Sequence, residues 1–144
     1  MTPEEVISLL DLRPHPEGGH FAETYRTETT QVAGARARAH GTAIYFLLRK
    51  GERSHWHRVD ADEMWHYYAG APLELQLAAE DAAPSAVILG PDLAAGERPQ
   101  RLVPAGVWQA ARSLGDWTLV GCTVTPAFEF DGFELAPPDF VPGK

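Results

Sequence analysis

The chain has 144 residues, enough for one domain (1–144) that buries roughly two-thirds of its unfolded surface in its own core. A formal net charge of −8 argues against nucleic acid or an anionic membrane as the main partner, because both need a basic face. Cys122 is the only cysteine, so no intramolecular disulfide forms. The absence of a leader-like start or a long apolar run leads us to expect a soluble, cytoplasmic protein.

Thr2-Pro3-Glu4-Glu5 reads as a helix start. Thr2 caps, Pro3 suits the first helical position and Glu5 completes a capping box. Val6, Ile7, Leu9 and Leu10 give one apolar side to a helix of about two turns, which Pro14 and Pro16 end. A strand is expected near Phe21–Thr27. The polar run Thr29–His40 reads as a long exposed connection in which Arg36 and Arg38 are solvated charges. Thr42–Arg49 is β-branched, aromatic and aliphatic, hence a strand covered on both faces. On it Phe46 faces the core with Ile44 and Leu48, and Tyr45 faces a mouth or an interface.

His55 and His57 follow, two apart, a spacing that puts both on one face of a strand. Arg58–Asp62 reads as a short turn, then Glu63 opens the next strand, which Gly70 closes. Two imidazoles and a carboxylate match the donor types of a two-histidine, one-carboxylate metal site. They equally suit acid and base. Leu73-Glu-Leu-Gln-Leu alternates as a half-buried strand does. Short strands are expected at Ala86–Leu89, Arg101–Val103, Val107–Arg112 and Trp117–Val124, and Asp92–Gln100 reads as a polar loop. Phe128, Phe130 and Phe133 form an aromatic, turn-rich stretch of core or dimer packing, and the chain from Pro137 is expected to extend over the surface. Many short strands between Gly/Pro turns, with no later helical pattern, indicate an all-β antiparallel sandwich or barrel behind a short N-terminal α-helix.

These residues resemble the cupin superfamily, whose fold is a double-stranded antiparallel β-helix, or jelly-roll barrel. Gly51, His55, His57, Glu63 and Gly70 match its first motif. Gly96, Pro104 and Gly106 match its second, in which Gln109 stands at the histidine position. The phrases Pro16–Arg26, Ser54–Gly70 and Val103–Ala111 resemble the cupin-5 group (DUF985), whose members are RmlC-like barrels. The resemblance implies a metal set of His55, His57, Glu63 and Gln109 for iron, manganese, nickel or zinc. It equally allows no metal, because a neutral amide is a weaker ligand than imidazole. It also implies a homodimer, as exposed sheet edges favour pairing.

The pocket expected inside the barrel takes a small molecule. His55, His57, Glu63 and Tyr67 are its candidate catalytic residues, and Arg26, Tyr45, Trp65 and Gln109 its candidate substrate contacts. Alternation from Glu63 sends Trp65 and Tyr67 inward and His66 outward. Alternation from Gln109 sends Val107 and Ala111 inward and Trp108 outward. Arg26 suits an anionic group, because a guanidinium fork fits one; Glu23 is more simply an edge-strand charge. Cys122, in an apolar strand without a flanking base, reads as a small core residue. Two functions stay open. One is an enzyme on a sugar-like or carboxylated metabolite, either an acid–base isomerase or epimerase with a tyrosine returning the proton, or a metal-dependent enzyme. The other is a non-catalytic module that binds a small ligand.

Overall fold

The computed structural model describes residues 1–30 and 37–144. Helix α1 (Pro3–Leu9) is followed by strands β1 (Arg13–Pro14), β2 (His20–Arg26), β3 (Thr29–Thr30), β4 (Arg38–Ala39), β5 (Thr42–Arg49), β6 (Arg53–Val59) and β7 (Asp62–Gly70). Then come β8 (Leu73–Ala78), β9 (Ser85–Leu89), β10 (Gln100–Val103), β11 (Trp108–Ser113), β12 (Trp117–Thr125) and β13 (Phe133–Leu135). Two antiparallel sheets dominate, in the orders β1-β2-β5-β12-β7-β10 and β13-β6-β11-β8-β9, and β3 pairs with β4 in a separate ribbon. The all-β architecture and the single helical start therefore agree with the sequence.

Helix α1 is capped as expected. The Glu5 backbone N–H donates to Thr2 Oγ1 at 3.1 Å, and the Thr2 N–H donates to Glu5 Oε2 at 3.1 Å. Its apolar side packs Val6, Ile7 and Leu10 with Leu12 on Leu47, Tyr45 and Ala22, outside the first sheet. Leu9 is 70% exposed and does not join it, because the apolar stripe continues through Leu12 instead.

Between the sheets lies a mixed core. Phe46, Leu48, Trp65, Val103, Val120 and Cys122 come from one sheet, and Leu73, Leu75, Leu77, Leu89 and Ala111 from the other. The alternating apolar positions of β5, β8 and β12 explain why these strands face each other. Behind the second sheet, Trp56 and Trp108 pack with Ala136, and Phe140 covers Trp108 with ring centroids 4.7 Å apart.

Two segments differ from the sequence reading. The expected connection Thr29–His40 contains the β3–β4 ribbon at its two ends, and Ala39 is buried. Arg38 is not a solvated charge: it donates to Asp60 at 2.8 Å and 3.1 Å and to the Ala127 carbonyl at 2.7 Å. Arg36 lies outside the described residues. The expected turn Arg58–Asp62 is shorter, because β6 runs to Val59 and β7 begins at Asp62.

Candidate functional site

The motif strand β6 carries a β-bulge. Across from it on β11, Gln109 pairs with His57 and Ala111 with Ser54. Two steps on β11 thus oppose three on β6. The extra residue breaks the alternation. Ser54, His57 and Val59 are buried, and the His57 and Val59 side chains line a cavity. His55 and Trp56 turn to the outer face, where Trp56 joins the Trp108 cluster. His55 Nε2 there lies 2.9 Å from the Pro137 carbonyl, to which it donates. The expectation that His55 and His57 share a face is corrected: the histidine pair is split.

The place beside His57 is filled from the other end of the chain. The turn His15-Pro-Glu-Gly-Gly folds against β6, held by the His15 N–H on the Gly19 carbonyl (2.9 Å) and the Gly18 N–H on the His15 carbonyl (3.0 Å). Gly18 has φ +110°, and a Cβ there would overlap the Arg53 carbonyl oxygen, so only glycine allows this approach. The turn is also tied to β6 by the His55 N–H, which donates to the Glu17 carbonyl at 2.8 Å. Glu17 is consequently delivered into the interior. Its Oε2 accepts from the Ser54 hydroxyl and lies 3.4 Å from His57 Nε2. His15 stands on its other side, with Nδ1 3.3 Å from Glu17 Oε1.

Glu63 projects into the same cavity from β7. Its Oε1 accepts from Gln109 Nε2 at 2.9 Å, and Gln109 Oε1 in turn accepts from Trp65 Nε1 at 2.8 Å. The indole N–H can only donate. The glutamine oxygen therefore faces Trp65 and its NH₂ faces Glu63. Cys122 donates to Glu63 as well, and burial raises its thiol pKa well above the ordinary value, with the Glu63 and Glu17 charges adding. It is an inert core thiol, as its strand suggested.

The cavity measures about 760 Å³, within the range of small-molecule sites. Its aromatic wall is Phe21, Phe128 and Phe130, with the Phe133 ring 5.5 Å from His57. Phe128 and Phe133 also pack on Val59, Ala61 and Val124, the core packing the sequence suggested. Trp65 and Tyr67, the expected lining, belong to the filled end of the barrel: Trp65 is 1% exposed in the core, and the Tyr67 hydroxyl donates to the Gly70 carbonyl at 2.6 Å. Tyr45 lies outside the first sheet among Val6, Leu12 and Leu47. Phe46, its neighbour, sits in the core as expected, as do Val107 and Ala111. Arg26 does reach the cavity. It donates to Glu23 at 2.7 Å and 3.3 Å and to the Phe128 carbonyl at 3.0 Å, so Glu23 is a wall residue paired to it.

Burial dominates the electrostatics. It raises the Glu17 pKa from 4.5 to about 8, with the Ser54 hydrogen bond acting against it. Burial raises Glu63 too, opposed by His57 and reinforced by Glu17. It lowers His15 to about 4, helped by His57. It also lowers His57, against the pull of Glu63 and the His55 carbonyl. Both histidine–Glu17 contacts thus join neutral partners at neutral pH and are not ion pairs. His57 Nδ1 lies 2.7 Å from the His55 carbonyl, an acceptor only, so Nδ1 carries the proton. The bare Nε2 lone pair then faces Glu17.

The cupin donor set fails a geometric test. His55 points outward and the Gln109 oxygen is committed to Trp65. Among the described residues, no group of three or more His, Cys, Asp or Glu side chains is placed to hold a metal ion. The sequence also passed over His15, Glu17 and Ser54. The one signal for them was an acid inside the Pro-Glu-Gly-Gly turn.

Two antiparallel sheets around a cavity that holds a buried polar cluster define a cupin-type barrel. The family model described as "Cupin superfamily (DUF985)" matches residues 4–136, and the chain belongs to that family. Its structure is similar to protein SO0799 from Shewanella oneidensis, with TM-score 0.87 and 44% identity over 94% of this chain and 85% of that one. A hypothetical protein from Leishmania major is similar at TM-score 0.86 and 32% identity, over 94% and 88% of the two chains. Oxalate decarboxylase from Bacillus subtilis, in its structure at pH 4.6, shares the fold alone, at TM-score 0.63 and 12% identity over 87% of this chain and 30% of that one. No protein with a curated description matches. Among the described residues, no helix is long and apolar enough to cross a membrane.

Proposed function

We propose that this protein is an acid–base isomerase acting on a small carbonyl compound, sugar-like or carboxylated. The observation that carries the reading is the His57 Nε2 lone pair, 3.4 Å from a carboxyl that burial keeps protonated to about pH 8. His57 takes a proton from the carbon next to the carbonyl. Glu17 donates a hydrogen bond to the carbonyl oxygen as negative charge builds there. The imidazolium returns its proton to the neighbouring carbon once Glu17 has given its proton to the first oxygen and taken one from the adjacent hydroxyl; return to the same carbon from the same side gives exchange alone. Such a pair contributes about 10²–10⁴-fold. Tyr67 has no part in this chemistry. Gln109 acts on Glu63, which faces the positive charge that forms on His57.

Solvent deuterium exchange into hydroxy-ketones, aldoses and 2-keto acids, followed by proton NMR, tests the proposal. The expected result is exchange next to the carbonyl of at least one compound, lost in His57→Gln and reduced in Glu17→Gln. Binding without exchange in the parent would favour the non-catalytic module instead. The homodimer belongs to the same proposal. Tyr68 and Leu102, 51% and 44% exposed, lie with Met64 on the outer face of β7 and β10, a face suited to a second copy. Light scattering on the purified protein decides between dimer and monomer.

A further inference from the structure

The cavity lip carries a charge that the reaction scheme does not use. Arg13 pairs with Phe21 across β1 and β2. Directly opposed residues of an antiparallel pair project from the same face, and Phe21 packs inward. Arg13 therefore projects from the cavity side of β1, at its exposed rim. The other charged wall residues, Asp11 apart, have partners. Arg26 holds Glu23, Arg38 reaches Glu129 at 3.3 Å, and Glu17 and Glu63 sit in the buried network. No hydrogen bond or ion pair engages Arg13 among the described residues. Asp11, two residues earlier, is the remaining wall carboxylate.

A free guanidinium fork at the mouth of a cavity whose other cations are paired has a specific use. Water already solvates Arg13 well, so its position confers no stability. An oxyanion lying across the fork would gain two parallel charge-assisted hydrogen bonds. The rest of the molecule would then extend past the phenylalanine wall toward His57. We infer that Arg13 selects substrates bearing a terminal oxyanion, a carboxylate or phosphate monoester, and that neutral sugars are excluded from efficient binding. This rests on the isomerase reading for its orientation, but its test is binding alone.

Calorimetric titration with glycolate, glycerol 3-phosphate and glycerol separates the cases in the parent protein and in Arg13→Gln, Arg13→Lys and Asp11→Asn. At least one anion is expected to saturate the parent while glycerol does not, and the tighter anion names the class. Arg13→Gln should weaken that anion at least about tenfold, as loss of a charge-assisted pair implies. Arg13→Lys should fall between, and Asp11→Asn should bind more tightly than the parent. Absence of anion binding in the parent, equal binding of glycerol, or unchanged affinity in Arg13→Gln would overturn the inference. Arg13-dependent binding without deuterium exchange would leave it standing and remove the isomerase. Exchange on the same substrate that is undiminished in Arg13→Gln would do the reverse.

Discussion

Replacing Glu17 by glutamine should flatten the stability of this protein between pH 6.5 and 8. Burial raises the Glu17 carboxyl from 4.5 to about 8. The folded state therefore keeps a proton that the unfolded chain has released in that window. A raised pKa contributes stability that is complete below the unfolded value and is lost as pH rises through the folded one. His15 runs the other way. Its pKa falls from 6.5 to about 4, so its contribution is present above 6.5 and lost as pH falls toward 4. The two oppose each other between 4.5 and 6.5, and above 6.5 Glu17 acts without that opposition. At about 1.4 kcal/mol per pKa unit, integrating the titration gives a loss of roughly 1.5 kcal/mol from pH 6.5 to 8. Glu63 and His57 stay in both proteins, so the difference between parent and variant isolates Glu17. Urea unfolding at half-unit pH steps reads it directly. The parent should lose roughly 1.5 kcal/mol relative to Glu17→Gln across the window. Parallel curves would show that Glu17 titrates normally and that no neutral acid waits beside His57.

Other consequences follow from the same contacts. Gly18→Ala should cost on the order of 1–3 kcal/mol in chemical unfolding, from the left-handed backbone alone, and more from overlap with Arg53. Gln109→Leu strands the Trp65 N–H and a Glu63 oxygen and should cost about 1–3 kcal/mol for each group left unpaired; a melt unchanged from the parent would contradict that network. His55→Ala should leave deuterium exchange intact, since its imidazole faces the Pro137 carbonyl, whereas abolished exchange would return it to the site. Adding iron, manganese, nickel or zinc to tag-free protein should leave the melting temperature unchanged. A rise that His57→Ala removes would establish a metal site built on this histidine.

The fold was legible because the local signals agreed with one another. Thr42–Arg49 and Leu73–Ala78 carry their faces in their alternation, and the capping box of Thr2 and Glu5 is local in sequence. The site was only half legible. Glu63 and Gln109 sit on regular strands, where period two holds, and they point inward as alternation requires. His55 and His57 obey the same rule on paper, but the bulge in β6 is set by the pairing with β11, which no local pattern encodes. Trp56 offered a clue, since a large apolar residue between two inward histidines would face out, and here it does so with His55 beside it. Glu17 was hidden for a different reason. Its burial depends on Gly18 packing against β6 and Gly19 against β5, and its hydrogen bond with Ser54 spans 37 residues of sequence. The same distance rule hid Phe128 and Phe130 as cavity walls.

The proposed chemistry requires His57 to present an unprotonated Nε2 to the cavity at neutral pH. Long-range proton–nitrogen correlation NMR on histidine-labelled protein, with His57→Gln for assignment, measures both the charge and the tautomer. The expected result is a neutral His57 ring with its proton on Nδ1 at pH 7, still neutral below the ordinary histidine pKa. An imidazolium at pH 7, or a neutral ring protonated on Nε2, would contradict it.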